Sequence, residues 1–287
     1  MLSIAMAASL LFTPADAHLA YETAKGIVEN CTPRDAGTYR TRPASRRIFD
    51  RASAAGIDAK LDTFEAITPV GPRRFINVEG RYVSSHTNDW VVLVSHYDTK
   101  PGTDCPGAND GASTSGLLVA LADALTTHRP KDINVLLLWT DGEECMERYG
   151  LNDGLWGSRH AAEKIKKEGL RVKAVVCLDM LGDADLGIVV PRNGTGWLAQ
   201  LAQDAGAAVR AGLVTAGHEL IADDHLPFLE EGFDAIDLID FQYGGGPGRN
   251  DYWHTAQDTM DKISEESLLL SGRVVAELLN RLAKRKP

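Results

Sequence analysis

The chain has 287 residues, 44% of them hydrophobic, and a formal charge of -10 from 30 Lys and Arg against 40 Asp and Glu. That length can bury one large core, and the acidic balance, with no clustered basic run, excludes the electrostatic footprint of a nucleic-acid binder. Its four cysteines, Cys31, Cys105, Cys145 and Cys177, are too few and too irregularly spaced for a disulfide scaffold and form no C-x-x-C pair.

Leu2 to Phe12 is a short apolar run followed by Ala15-Asp16-Ala17, a small-x-small pattern that a signal peptidase accepts. The expectation is a signal peptide over 1–17, export to the periplasm or the medium, and a single domain over 18–287. Since no Lys or Arg precedes the run, an apolar N-terminal helix is the competing reading. No later stretch approaches the ~18 uninterrupted apolar residues of a membrane-spanning helix, so none is expected in the mature chain.

Between Ala20 and Gly56 apolar residues recur at helical spacing, with Thr32-Pro33-Arg34 breaking the stretch into two helices. Short β-like runs follow at Ala59 to Ile67, Phe75 to Arg81 and Val91 to Ser95; the last is continuously apolar, as a strand buried on both faces should be. Ile133 to Trp139, Val172 to Leu178 and Ala235 to Phe241 read the same way. Helical patterns lie at Gly116 to Leu125, Gly157 to Glu168, Trp197 to Ala211 and Ser264 to Lys284. This alternation predicts an α/β three-layer sandwich, with a central mixed, mostly parallel sheet and helices on both faces. Ligand sites in such sheets form beyond the carboxyl ends of the strands.

The residues following those strands are polar. His96-Tyr97-Asp98 follows one, Asp141-Gly142-Glu143-Glu144 another and Asp179 a third; Asp110 sits in a Gly-rich loop and His254 in Asp251-Tyr252-Trp253-His254-Thr255. Singly, Asp110 reads as a helix cap, the Glu pair as surface charge and His254 as a core histidine. Together, buried acids around one point demand a compensating cation. A His/Asp/Glu donor set without thiolate suits Zn²⁺ in an open catalytic site. Asp98 is placed to orient the His96 ring by taking its other N–H, or is an ordinary loop aspartate. Cys105 and Cys145 flank these motifs, and an oxidising compartment would allow a bridge between them.

From about Asn77 to Leu269 the chain resembles the zinc exopeptidase family that includes bacterial aminopeptidases and glutaminyl-peptide cyclotransferases. The ordered motif set His96/Asp98, Asp110, Glu143/Glu144, Asp179 and His254 carries the resemblance. In the aminopeptidase type it implies two metals bridged by Asp110, one with His96 and Asp179 and the other with Glu144 and His254, and Glu143 as general base. In the cyclotransferase type it implies one zinc on Asp110, Glu144 and His254, with Asp179 in the proton pathway.

Trp253 beside His254, Leu155 to His160, and Ala222 to Phe228 are similar to cyclotransferase segments, as is Asp251 to Asp258. Two positions depart from the pattern: Arg249 where an aromatic is usual, and Tyr149 where a tryptophan is usual. The resemblance thus implies a zinc enzyme acting on peptide or protein N-termini. Its preferred form is a glutaminyl cyclase, with Glu143 moving the proton, Asp179 and Asp223 assisting and Trp253 walling the substrate; the alternative for Asp223 is a helix cap. The alternative activity is an aminopeptidase. A non-catalytic binding module ranks last, because every expected position is filled.

Overall fold

The structure is a computed structural model that describes residues 9–285 other than Ser85 and Leu151. In chain order the strands are β1 (Asp58–Thr68), β2 (Gly71–Tyr82), β3 (Asp89–His96), β4 (Asn134–Thr140), β5 (Arg171–Asp179), β6 (Ile188–Val190), β7 (Val214–Ala216) and β8 (Ala235–Ile239). The α-helices are α1 (Pro14–Cys31), α2 (Arg42–Ala54), α3 (Thr114–His128), α4 (Trp156–Glu168), α5 (Gly196–Val209), α6 (His225–Glu230) and α7 (Glu265–Lys284).

All eight strands form one sheet in the order β1-β2-β4-β3-β5-β8-β6-β7. Its centre, β4-β3-β5-β8, is parallel, while β1, β2 and the β6–β8 junction pair antiparallel. Alternation along the central strands explains their continuous apolar sequence. Val91 and Leu93 of β3 pack with α1, α3 and α7 on one face. Val92 and Val94 pack on the other with Ala161 and Ile165 of α4 and Phe228 of α6. A strand covered on both faces has no polar position to spare until it ends, so its carboxyl end is where polar chemistry can begin. This is the expected α/β architecture with helices on both faces.

The expected elements are present with shifted ends, and three more appear: β6, β7 and α6. At the N-terminus, residues 1–8 of the proposed leader lie outside the described residues. Leu10 and Phe12 are buried in the main core, and Asp16 closes a capping box with Thr13 at the start of α1. Cleavage after Ala17 would cut through the first turn of that helix. All four cysteines are free thiols and buried, so the bridge considered between Cys105 and Cys145 is not formed. Cys105 Sγ lies 3.7 Å from Asp258, while Cys145 Sγ meets Lys100 Nζ at 2.8 Å. Among the described residues no helix is long and apolar enough to cross a membrane.

Candidate active site

β3, β4 and β5 end side by side, and the last residues of β3 and β5 with the loop after β4 bring His96, Asp179 and the Glu143-Glu144 pair to one edge of the sheet. Asp110 joins them from the turn before α3. That turn is distorted: Gly111 has φ 93°, and a Cβ there would stand 3.0 Å from both Asp98 O and His96 Cε1. Only glycine lets the loop pass so close to the β3 end at that φ. His254 arrives from the loop after β8 with φ 57°, a left-handed conformation that a non-glycine residue holds only when its surroundings enforce it.

Two donor triads result, and Asp110 belongs to both. His96 Nε2 is 3.0 Å from Asp110 Oδ1 and 3.2 Å from Asp179 Oδ1. His254 Nε2 is 2.8 Å from Glu144 Oε1 and 3.4 Å from Asp110 Oδ2. Within each triad one ligand atom per residue lies inside 4.8 Å of the others. Asp110 Oδ2 and His96 Nδ1 are buried without a hydrogen-bond partner. Such a set of buried oxygens and nitrogens fits a divalent cation, which would satisfy Asp110 Oδ2 and offset the acid cluster, while His96 Nδ1 faces Asp98 on the far side of the ring.

The electrostatics are those of crowded buried acids. Burial, reinforced by Glu144, raises Glu143 well above the usual carboxylate range. Burial and Asp110 lift Glu144 to about 7; burial lifts Asp179 to about 6, and burial with Asp179 lifts Asp223 to about 7. Asp110 goes the other way: burial would raise it, but the His96 hydrogen bond and the charges of His96, His254 and Arg34 hold it low. His96 is raised despite burial because Asp110 and Asp179 accept from its ring.

The cluster opens into a cavity of about 210 Å³ lined by Asp110, Glu143, Glu144, Tyr149, Asp179, Asp223, Ile221, Phe241, Trp253 and His254, with Glu219 to Ala222 at its rim. Trp253 stacks on the His254 ring at 3.8 Å and meets Phe241 edge-on at 5.1 Å. The structure therefore brings Glu143, Asp179, Asp223, Asp110, Glu144, His254, His96 and Trp253 to one place. Asp223 precedes the cap of α6, which is Asp224, and its Oδ1 lies 3.3 Å from Cys177 Sγ.

The expectation for Asp98 needs correction. Asp98 stands 3.6 Å from His96 Nδ1, too far for a hydrogen bond; its oxygens accept instead from the backbone N–H of Glu143 and Glu144 at 3.3 and 3.1 Å. Asp141, though at the end of β4, turns away from the cluster to accept from Gly37 N, Ile76 N and Thr41 Oγ1. The Gly244 to Gly248 loop lies beside this cavity, lining its neighbours. Arg249, where the resemblance leads to an aromatic, is exposed and paired with Asp251 at 2.8 Å.

Sequence reasoning missed the supports. Asp258 accepts from Asn109 N at 2.7 Å, Asp110 N at 3.2 Å and the Tyr243 hydroxyl at 2.7 Å. Arg34 is fully buried and donates to the carbonyls of Tyr97, Pro106 and Gly107 at 2.7, 2.8 and 3.0 Å. Both hold the Asp110 loop against the β3 end. The signal available was a lone acid at the end of a motif and a lone arginine after a proline, neither specific.

Comparison with known proteins places this arrangement. The chain belongs to Peptidase family M28, whose profile matches residues 77–279, and it is an enzyme of that family. Among its relatives, the glutaminyl-peptide cyclotransferase-like protein of Bos taurus is 29% identical over 281 residues, covering 86% of this chain and 71% of that one. The crystal structure of an Acidobacteriales bacterium glutaminyl cyclase superposes with a TM-score of 0.89 at 31% identity, covering 100% of both chains. A leucine aminopeptidase precursor from Bacteroides thetaiotaomicron shares the fold at TM-score 0.83 and 22% identity, covering 98% of this chain and 100% of that one.

Proposed function

We propose that the chain is a zinc-dependent glutaminyl-peptide cyclotransferase, converting the N-terminal Gln of a peptide to pyroglutamate with release of ammonia. The observation that supports it best is the cavity: about 210 Å³, walled by Trp253, Phe241 and Ile221 and floored by carboxylates. That is room for one uncharged polar side chain folded back on its own α-amine. The relatives named as cyclotransferases point the same way.

A zinc ion on Asp110, Glu144 and His254 would supply the Lewis acid that polarises the Gln side-chain carbonyl. Glu143 takes a proton from the attacking α-amine and returns it to the departing amide nitrogen, so the N–C bond forms, the C–N bond of the carboxamide breaks and ammonia leaves. Asp179 and Asp223 face the cavity and hydrogen-bond the leaving nitrogen. Trp253 and Phe241 keep water from competing with the amine.

One observation favours a second reading. His96, Asp110 and Asp179 form a complete further donor triad, as a dinuclear aminopeptidase would need. Incubating the zinc-loaded protein with Gln-initiated and Leu-initiated peptides and reading products by mass decides between them. Loss of ammonia from the Gln peptide at unchanged length is expected. Release of free leucine without that loss would overturn the proposal and make Asp179 a ligand. Export is proposed separately, on the apolar run before Phe12. Because Leu10, Phe12 and the Thr13–Asp16 box belong to the fold, the exported chain is expected to retain them, which its intact mass would check.

A further inference from the structure

Tyr149 stands where the aromatic wall of the cavity meets the acid pair. Its hydroxyl lies 3.1 Å from Glu143 Oε2 and 3.4 Å from Glu144 Oε2. A phenol has a single O–H to give, and the shorter contact is to Glu143. Among the described residues it is the side-chain donor that reaches the Glu143 carboxylate.

The loop carrying Tyr149 is built to present it. Asp153, nearly fully buried, accepts from three successive backbone N–H groups, Met146 at 2.6 Å, Glu147 at 2.7 Å and Arg148 at 2.8 Å. Gly150 and Asp153 exchange backbone hydrogen bonds of 2.9 and 3.3 Å, closing the turn. Gly154, at φ 82°, leaves the space the ring needs: a Cβ there would sit 2.7 Å from Tyr149 Cδ1 and 3.0 Å from Glu143 O. A loop that merely had to supply an apolar wall would not require its polar tip to land on a carboxylate.

We propose that Tyr149 is a positioning residue for Glu143. Its phenol donates to Oε2, fixing the carboxylate's rotation and leaving Oε1 turned to the cavity to take and return the proton. The proposal rests on Glu143 being the proton carrier, a role that both readings of the activity share. A tryptophan at this place would wall the cavity without a hydroxyl; the tyrosine adds the hydroxyl and with it a fixed orientation of the base.

Tyr149→Phe keeps the wall and deletes the donor. On the product the wild type forms, kcat is expected to fall by about ten- to hundredfold, the range for a hydrogen bond to a charged group, with KM and melting temperature near wild type. In the Glu143→Gln background the same substitution should cost the residual rate nothing further, because residues acting as one unit are not additive. An unchanged kcat, a loss confined to KM, or an equal further loss in the Glu143→Gln background would each overturn the inference. A switch of product from pyroglutamyl peptide to free leucine would overturn the proposed reaction and leave the Tyr149 comparison intact.

Discussion

His96 and His254 reach the same carboxylate from different kinds of backbone. His96 is the last residue of a central strand, with its side chain 2% exposed and its ring pinned between Asp110 and Asp179. His254 sits on a loop in a left-handed conformation, its side chain 16% exposed, with Trp253 stacked on it at the cavity wall. Both triads border the cavity, through Asp110 and Asp179 in one and Asp110, Glu144 and His254 in the other, but the first is built on strand ends of the sheet while the second relies on a strained loop. A cation on Asp110, Glu144 and His254 would sit beside Trp253 at the cavity wall, where the proposed reaction needs it.

Removing the proton carrier should leave both triads standing, and this is the largest effect expected. Glu143→Gln should lower kcat by about 10²- to 10⁴-fold, the usual worth of general acid–base catalysis, while zinc content by elemental analysis and the melting temperature stay unchanged. Retained turnover would break the assignment.

The comparison between the histidines is sharpened by replacing each in turn. His254→Ala should abolish zinc uptake at the catalytic triad and activity with it. His96→Ala should keep one ion per chain and measurable cyclisation, losing stability instead because Asp179 and Asp110 are left unpaired in the interior. If both variants drop from two ions to one and both lose turnover, the centre is dinuclear.

A smaller effect is expected at the clamp. Asp258→Asn keeps shape but can no longer accept from both backbone N–H groups and Tyr243 at once, so zinc affinity should weaken by about tenfold, the worth of one hydrogen bond to a charged group. Competition with a chelator reads this directly.

The smallest effect concerns pH. Burial, with the nearby Asp98 charge, raises Asp141 to about 8, above the value it has in the unfolded chain. The folded state therefore binds the proton more tightly, so its contribution to stability is full below about pH 4 and is lost as pH rises through 8. Urea midpoints should fall between about pH 4 and 8, and Asp141→Asn should flatten that slope. A slope unchanged by the substitution would assign the fall to other acids.

What could be read from the residues alone followed the physics of burial. β3, β4 and β5 are continuous apolar runs because both their faces are covered, and their polar ends marked His96, Glu143, Glu144 and Asp179. β6 and β7 have three residues each and α6 has six, too few for a period to show. Asp141 and Glu143 are both strand-end acids in sequence; which way each side chain turns depends on Thr41 and Ile76, far away along the chain. The same holds for Arg34 and Asp258, whose work is done across long separations that no local pattern records.

Arg34 has a consequence for truncation of the chain. Its guanidinium joins a segment near the start of the domain to the loop of Asp110, and Asp258, near the end, grips the same loop from the other side. The metal loop is thus clamped by both ends of the domain, and a chain stopped short of Asp258 lacks one half of that clamp together with α7 of the core, so it should be unable to hold its metal.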